Sequence, residues 1–115
     1  EITSGFRENI GGIHLKYQVE PDIAIFGKAL GNGFPISAII GKARFMNAAE
    51  DSFISSTFWT ENIGFTAALA VIEKYEKDNV CKHLINAGRK INKGWLKAAK
   101  LSNIKINITS HEKLR

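Results

Sequence analysis

Apolar positions in the chain follow two periods: three short stretches have the pattern of strands and two longer ones that of helices. Asp22-Ile23-Ala24-Ile25-Phe26 is β-branched and bounded by Pro21 and Gly27, which predicts a strand. Ile36-Ser37-Ala38-Ile39-Ile40 ends at Gly41 and is almost continuously apolar, so it suits a strand covered on both faces, as in an α/β sheet. Ile104-Lys105-Ile106-Asn107-Ile108-Thr109 alternates, which predicts a half-exposed strand. From about 62 to 77, Phe65, Ala68, Leu69, Ile72 and Tyr75 recur at helical spacing. From about 82 to 101, Leu84, Ile91, Trp95 and Ala98 share one helix face, with Arg89, Lys93, Lys97 and Lys100 opposite. Gly88 and Gly94 fall inside this second helix, each costing about 1 kcal/mol against alanine.

Between the first two strands lies Gly27-Lys28-Ala29-Leu30-Gly31-Asn32-Gly33-Phe34-Pro35. Its glycines and proline predict an irregular connection. The chain has 115 residues, one modest domain's worth, without an initiator methionine, and it stops just after a strand pattern. It therefore reads as an internal piece of something longer.

Composition narrows the class. The chain is 44% hydrophobic and 23% charged, in the globular range, and no apolar run approaches a membrane span. The first residues lack the layout of a signal peptide. One cysteine, Cys81, excludes an internal disulfide framework and any multi-cysteine zinc site, and a reducing, cytoplasmic setting follows as the expectation. Charge is uneven: residues 1–73 carry 5 basic and 8 acidic side chains, residues 74–115 carry 11 and 3. A basic half suits a nucleic-acid partner, but a lysine-rich solvated helix face accounts for it without one.

Several chemistries fail on spacing. A P-loop needs glycine five residues before Gly27 and a hydroxyl residue after Lys28, and Asp22 and Ala29 stand there. A dinucleotide fingerprint begun at Gly31 meets Ile36 where its third glycine belongs. His14, His83, His111 and Cys81 are too scattered to predict a metal site. Ser4, Ser55 and Ser56 leave a nucleophilic triad formally open. Lys28 stands apart because it directly follows an apolar strand, between a glycine and an alanine. A lysine kept dry at a strand end can be a free amine that attacks carbonyls, although a lysine so placed is usually a solvated turn residue.

Ile2-Thr3-Ser4-Gly5-Phe6-Arg7, Pro21-Asp22 and Phe26-Gly27-Lys28-Ala29-Leu30-Gly31-Asn32-Gly33-Phe34-Pro35-Ile36 together resemble the class III aminotransferases. Within that family the motifs are most similar to glutamate-1-semialdehyde 2,1-aminomutases and related sugar-pathway aminotransferases. The resemblance covers nearly all of residues 1–101. It implies an α/β fold of the aspartate aminotransferase-like type, fold type I of the pyridoxal-phosphate (PLP) enzymes. It also implies that Lys28 binds PLP as a Schiff base and that Ile2 packs on the cofactor ring. Thr57, within Ser55-Ser56-Thr57-Phe58-Trp59, matches a threonine that reaches the phosphate held by the partner subunit. Taken alone, Thr57 or Thr60 reads equally well as helix-entry chemistry. The family's aspartate for the pyridine nitrogen falls immediately ahead of Glu1. Where aminomutases carry a small Gly-Asn-Pro type of sequence after the threonine, this chain has Phe58-Trp59-Thr60-Glu61-Asn62.

The reading is then a fragment of a PLP-dependent aminotransferase or 2,1-aminomutase, inactive by itself. Residues 1–78 would be the later part of the large PLP-binding domain and 79–115 the start of the C-terminal small domain. Implied partners are a small-molecule amino donor, a carbonyl acceptor and a second subunit in a homodimer with shared sites, with no nucleic acid and no membrane. The rival is a small basic module that binds nucleic acid or protein through the 82–101 helix. Its one aromatic, Trp95, lies on the apolar face, where it cannot interleave with the lysines.

Overall fold

The computed structural model describes residues 1–109. The two apolar runs flanking the glycine tract form strands, β1 (Ile23–Phe26) and β2 (Ala38–Gly41), after a one-turn helix α1 (Ile13–Lys16). They pair antiparallel, with Ile23 opposite Gly41 and Phe26 opposite Ala38. A second short helix, α2 (Ala43–Met46), follows, and then two long helices, α3 (Asn62–Asp78) and α4 (Val80–Leu101). Glu61 caps α3 by accepting a hydrogen bond from the Ile63 N–H at 2.9 Å. Asn79, in the left-handed conformation at φ 49°, ends α3 and begins α4.

Period-2 alternation puts Ala24 and Phe26 on one side of β1, where they join Phe6, Leu30 and Ala68 as the buried core. Phe6 brings the N-terminal segment onto this core, its ring meeting those of Phe26 and Tyr75 edge-on at 5.8 and 5.6 Å. Helix α3 lies close over the glycine tract: a Cβ on Gly64 would stand 3.1 Å from Ile36 Cβ.

Three expectations change. β2 is not covered on both faces; Ile39 and Ile40 are more than half exposed, because β1 is its one paired neighbour among the described residues. The 104–109 stretch is not a strand. The chain turns back at Ser102 and Asn103, the Ile104 N–H bonds the Ala99 carbonyl at 2.9 Å, and no strand pairs with it among the described residues. Helix α4 forms as its periodicity predicts, yet none of its residues is buried. On its apolar face Ile91 and Trp95 stay more than half exposed. No helix among the described residues is long and apolar enough to cross a membrane.

Candidate active site

Strand β1 ends at Phe26, and Gly27 continues it in extended geometry before the chain turns sharply. Lys28 makes that turn with φ at 46°, the left-handed region that costs a non-glycine residue about 1–2 kcal/mol. The turn is held by its own backbone. The Lys28 carbonyl accepts from the N–H groups of Gly31 and Asn32 at 3.2 and 3.0 Å, and the Gly27 carbonyl from Leu30 at 3.0 Å. Such strain persists where the surroundings over-determine it, and it gathers at functional sites.

The N-terminal segment supplies the facing surface. Lys28 Nζ donates to Thr3 Oγ1 at 2.7 Å. A Cβ on Gly27 would lie 3.6 Å from Ile2 Cγ2, so Ile2 stands at ordinary contact distance from the bare face of Gly27. The structure thus lays the Ile2-Thr3 segment along the Gly27-Lys28 turn, with Ile2 facing Gly27 and Thr3 bonded to Lys28. Thr57 sits on an exposed turn ahead of α3, and no hydrogen bond joins it to Lys28 among the described residues. Phe58 and Trp59 beside it are 62% and 61% exposed. Of the two settings open to Lys28, these residues give the solvated one: its side chain is exposed, so they alone do not desolvate the amine.

Two contributors escaped the sequence reading. Thr3 adjoins Ile2 in the quoted motif, which was its one signal. Glu1 accepts hydrogen bonds from the Ser4 hydroxyl at 3.0 Å, from the N–H groups of Ile13 and His14 at 3.1 Å each, and contacts His14 Nδ1 at 2.9 Å. Burial pushes the Glu1 carboxyl upward, but the His14 ring, the two backbone N–H groups and Ser4 outweigh it and hold its pKa at about 2. Helix α1 starts at Gly12 with no capping side chain of its own, and that gap was the available hint of a remote cap.

Other candidates recede. No group of three or more His, Cys, Asp or Glu side chains suited to a metal occurs among the described residues, and His111 lies outside them. Cys81 packs its Sγ 3.6 Å from the Phe6 carbonyl, and burial pushes its thiol up. Ser4 spends its hydroxyl on Glu1.

Residues 1–109 match the family model for class III aminotransferases. The chain is 38% identical over 110 residues to the 3-aminobutyryl-CoA aminotransferase of Cloacimonas acidaminovorans (strain Evry), covering 95% of this chain and 27% of that protein. It is 42% identical over 81 residues to a glutamate-1-semialdehyde 2,1-aminomutase of Saccharolobus islandicus, covering 68% of this chain and 19% of the aminomutase. With the 2'-deamino-2'-hydroxyneamine transaminase of Streptomyces kanamyceticus it shares 31% identity over 96 residues, 84% of this chain and 24% of that enzyme. The chain belongs to the class III aminotransferase family. It spans between 19% and 27% of the length of these relatives.

Proposed function

We propose that the chain carries the cofactor lysine of a PLP-dependent enzyme of fold type I that moves an amino group from a donor to a carbonyl acceptor. The observation that carries this is the Gly27–Leu30 turn, with Lys28 in a strained conformation and Ile2 and Thr3 laid against it. A cofactor that condenses with an amine needs a lysine free of carboxylates. Lys16 is paired with Glu8, and Lys42 with Asp22 and Glu20 at 3.1 and 3.2 Å, which raises the Lys42 pKa. Lys28 bonds a neutral hydroxyl instead, and Gly27 beside it presents no side chain. These residues fit the group.

PLP, when bound, supplies an electron sink for the substrate carbon. Lys28 Nζ would hold it covalently. When free, the same nitrogen would carry a proton from the substrate carbon and return one. Ile2 would pack against the ring, and the Thr3 hydroxyl orients Nζ. Thr57 would reach the phosphate in the partner subunit of a homodimer, a reading that its exposed position supports. Transfer between separate molecules is favoured over an intramolecular exchange by bulky Phe58 and Trp59 where aminomutases carry small residues. The left-handed break at Asn79 supports a division into a large-domain part, 1–78, and the start of a small domain, 79–115.

Borohydride reduction of the full-length protein followed by peptide mass mapping is the test. The cofactor mass should appear on Lys28, and Lys28→Ala should not turn over. Label on Lys16 or Lys42 with Lys28 clean would overturn the assignment.

A further inference from the structure

Resting on the assignment of Lys28 as the cofactor lysine, we propose that Glu1 is its positioning residue: the carboxylate clamps the N-terminal loop to the start of α1 and so fixes the Thr3 hydroxyl against Lys28 Nζ. Glu1 makes no bond to Lys28 itself. Its side chain is only 8% exposed, and its two oxygens take four donors. A carboxylate only accepts, so the His14 ring nitrogen facing it carries the proton. Two of the donors, the Ile13 and His14 N–H groups, are the unsatisfied ends of α1, which Gly12 cannot cap. The clamp therefore joins segments 12 and 13 residues apart.

Thr3 lies inside that clamp. The Glu1 carbonyl accepts from the Gly5 N–H at 2.8 Å, and the Thr3 carbonyl accepts from Arg7 Nε at 2.9 Å. Both flanks of Ile2 and Thr3 are thus tied. Two glycines make room for the arrangement. Gly12, at φ 113°, would with a Cβ strike the His14 ring at 2.5 Å and stand 3.2 Å from Glu1 Cδ. Gly5 would with one stand 2.7 Å from both the Glu1 carbonyl oxygen and the Phe26 ring. The loop is pressed between α1 and the strand that delivers Lys28.

An amine held against an oxygen is less available to an acylating reagent than one released from it. The test is trace acetylation of the full-length protein stripped of its cofactor, read by mass spectrometry as the labelling ratio of Lys28 to Lys42. Lys42, locked to Asp22 and Glu20, reports on general loosening. Glu1→Gln should raise the ratio by about three- to tenfold, the factor one lost hydrogen bond is worth. Thr3→Val should do the same, and the double variant should add little to either. A wild-type ratio in Glu1→Gln, or full additivity in the double variant, would overturn the proposal. If Glu1→Gln does not fold, Ser4→Ala removes one of the four bonds and should move the ratio the same way by less; no movement there would overturn it equally. Cofactor mapped to another lysine, with these ratios as expected, would defeat the functional reading and leave the clamp standing.

Discussion

Glu1 shows how environment sets the behaviour of a single side chain. Alone, burial would neutralise it; with four donors converging it stays ionised down to a pKa of about 2, against an ordinary 4.5. The folded state then takes up this proton at lower pH than the unfolded chain does. Its contribution is full above the unfolded value of 4.5 and is lost as pH falls towards about 2. Urea unfolding of the full-length protein at stepped pH should therefore show Glu1→Gln least stable relative to wild type above pH of about 5, with the gap closing towards pH of about 2. A gap that stays constant over that range would mean the clamp does not depend on charge. At Cys81 the balance falls the other way: burial raises the thiol more than a backbone N–H favours the thiolate, and the residue packs against Phe6.

At the scale of elements, the glycines separate close approach from mere tolerance. A Cβ on Gly31 would stand 2.2 Å from the Phe34 carbonyl oxygen, which is backbone of the same tight turn. One on Gly94, midway along α4, would meet nothing within 4 Å. The same substitution should act in opposite directions. Gly31→Ala should lower stability and disturb the Lys28 turn, whereas Gly94→Ala should raise stability by about 1 kcal/mol through helix propensity. Urea midpoints of the two full-length variants check the signs. Loss of stability in Gly94→Ala would mean that another element closes on that side of α4. The two long helices were legible in the sequence because 3.6-residue periodicity is a local signal, and both appear within two residues of their expected limits, although the cap of α3 is Glu61 rather than Thr57 or Thr60. The 104–109 alternation misled because a strand exists only with a partner, and alternation says nothing of one. Lys28 stood out through its glycine tract. Its contact with Thr3, 25 residues away, and the Glu1 clamp onto His14 did not, since no local pattern encodes which loop a folded turn will face.

On the scale of the whole molecule, the described residues lay Thr3 against Lys28 and Ile2 against Gly27, while Thr57 lies on an exposed turn with no hydrogen bond to Lys28. A phosphate contact by Thr57 in the partner subunit, as proposed above, makes each site depend on two chains. Losing one hydrogen bond to a charged group costs about 1.5–3 kcal/mol, so Thr57→Val should weaken PLP binding by about one to two powers of ten. The fold should survive, because the side chain is exposed rather than part of the core. Mixing subunits then decides the geometry. Combining Lys28→Ala with Thr57→Val chains gives heterodimers in which, if sites are shared, one site carries both lesions and the other carries neither. Activity should partly return in those heterodimers above the level of either homodimer. If heterodimers demonstrably form and activity does not recover, Thr57 acts within its own subunit or away from the phosphate, and the shared-site arrangement fails.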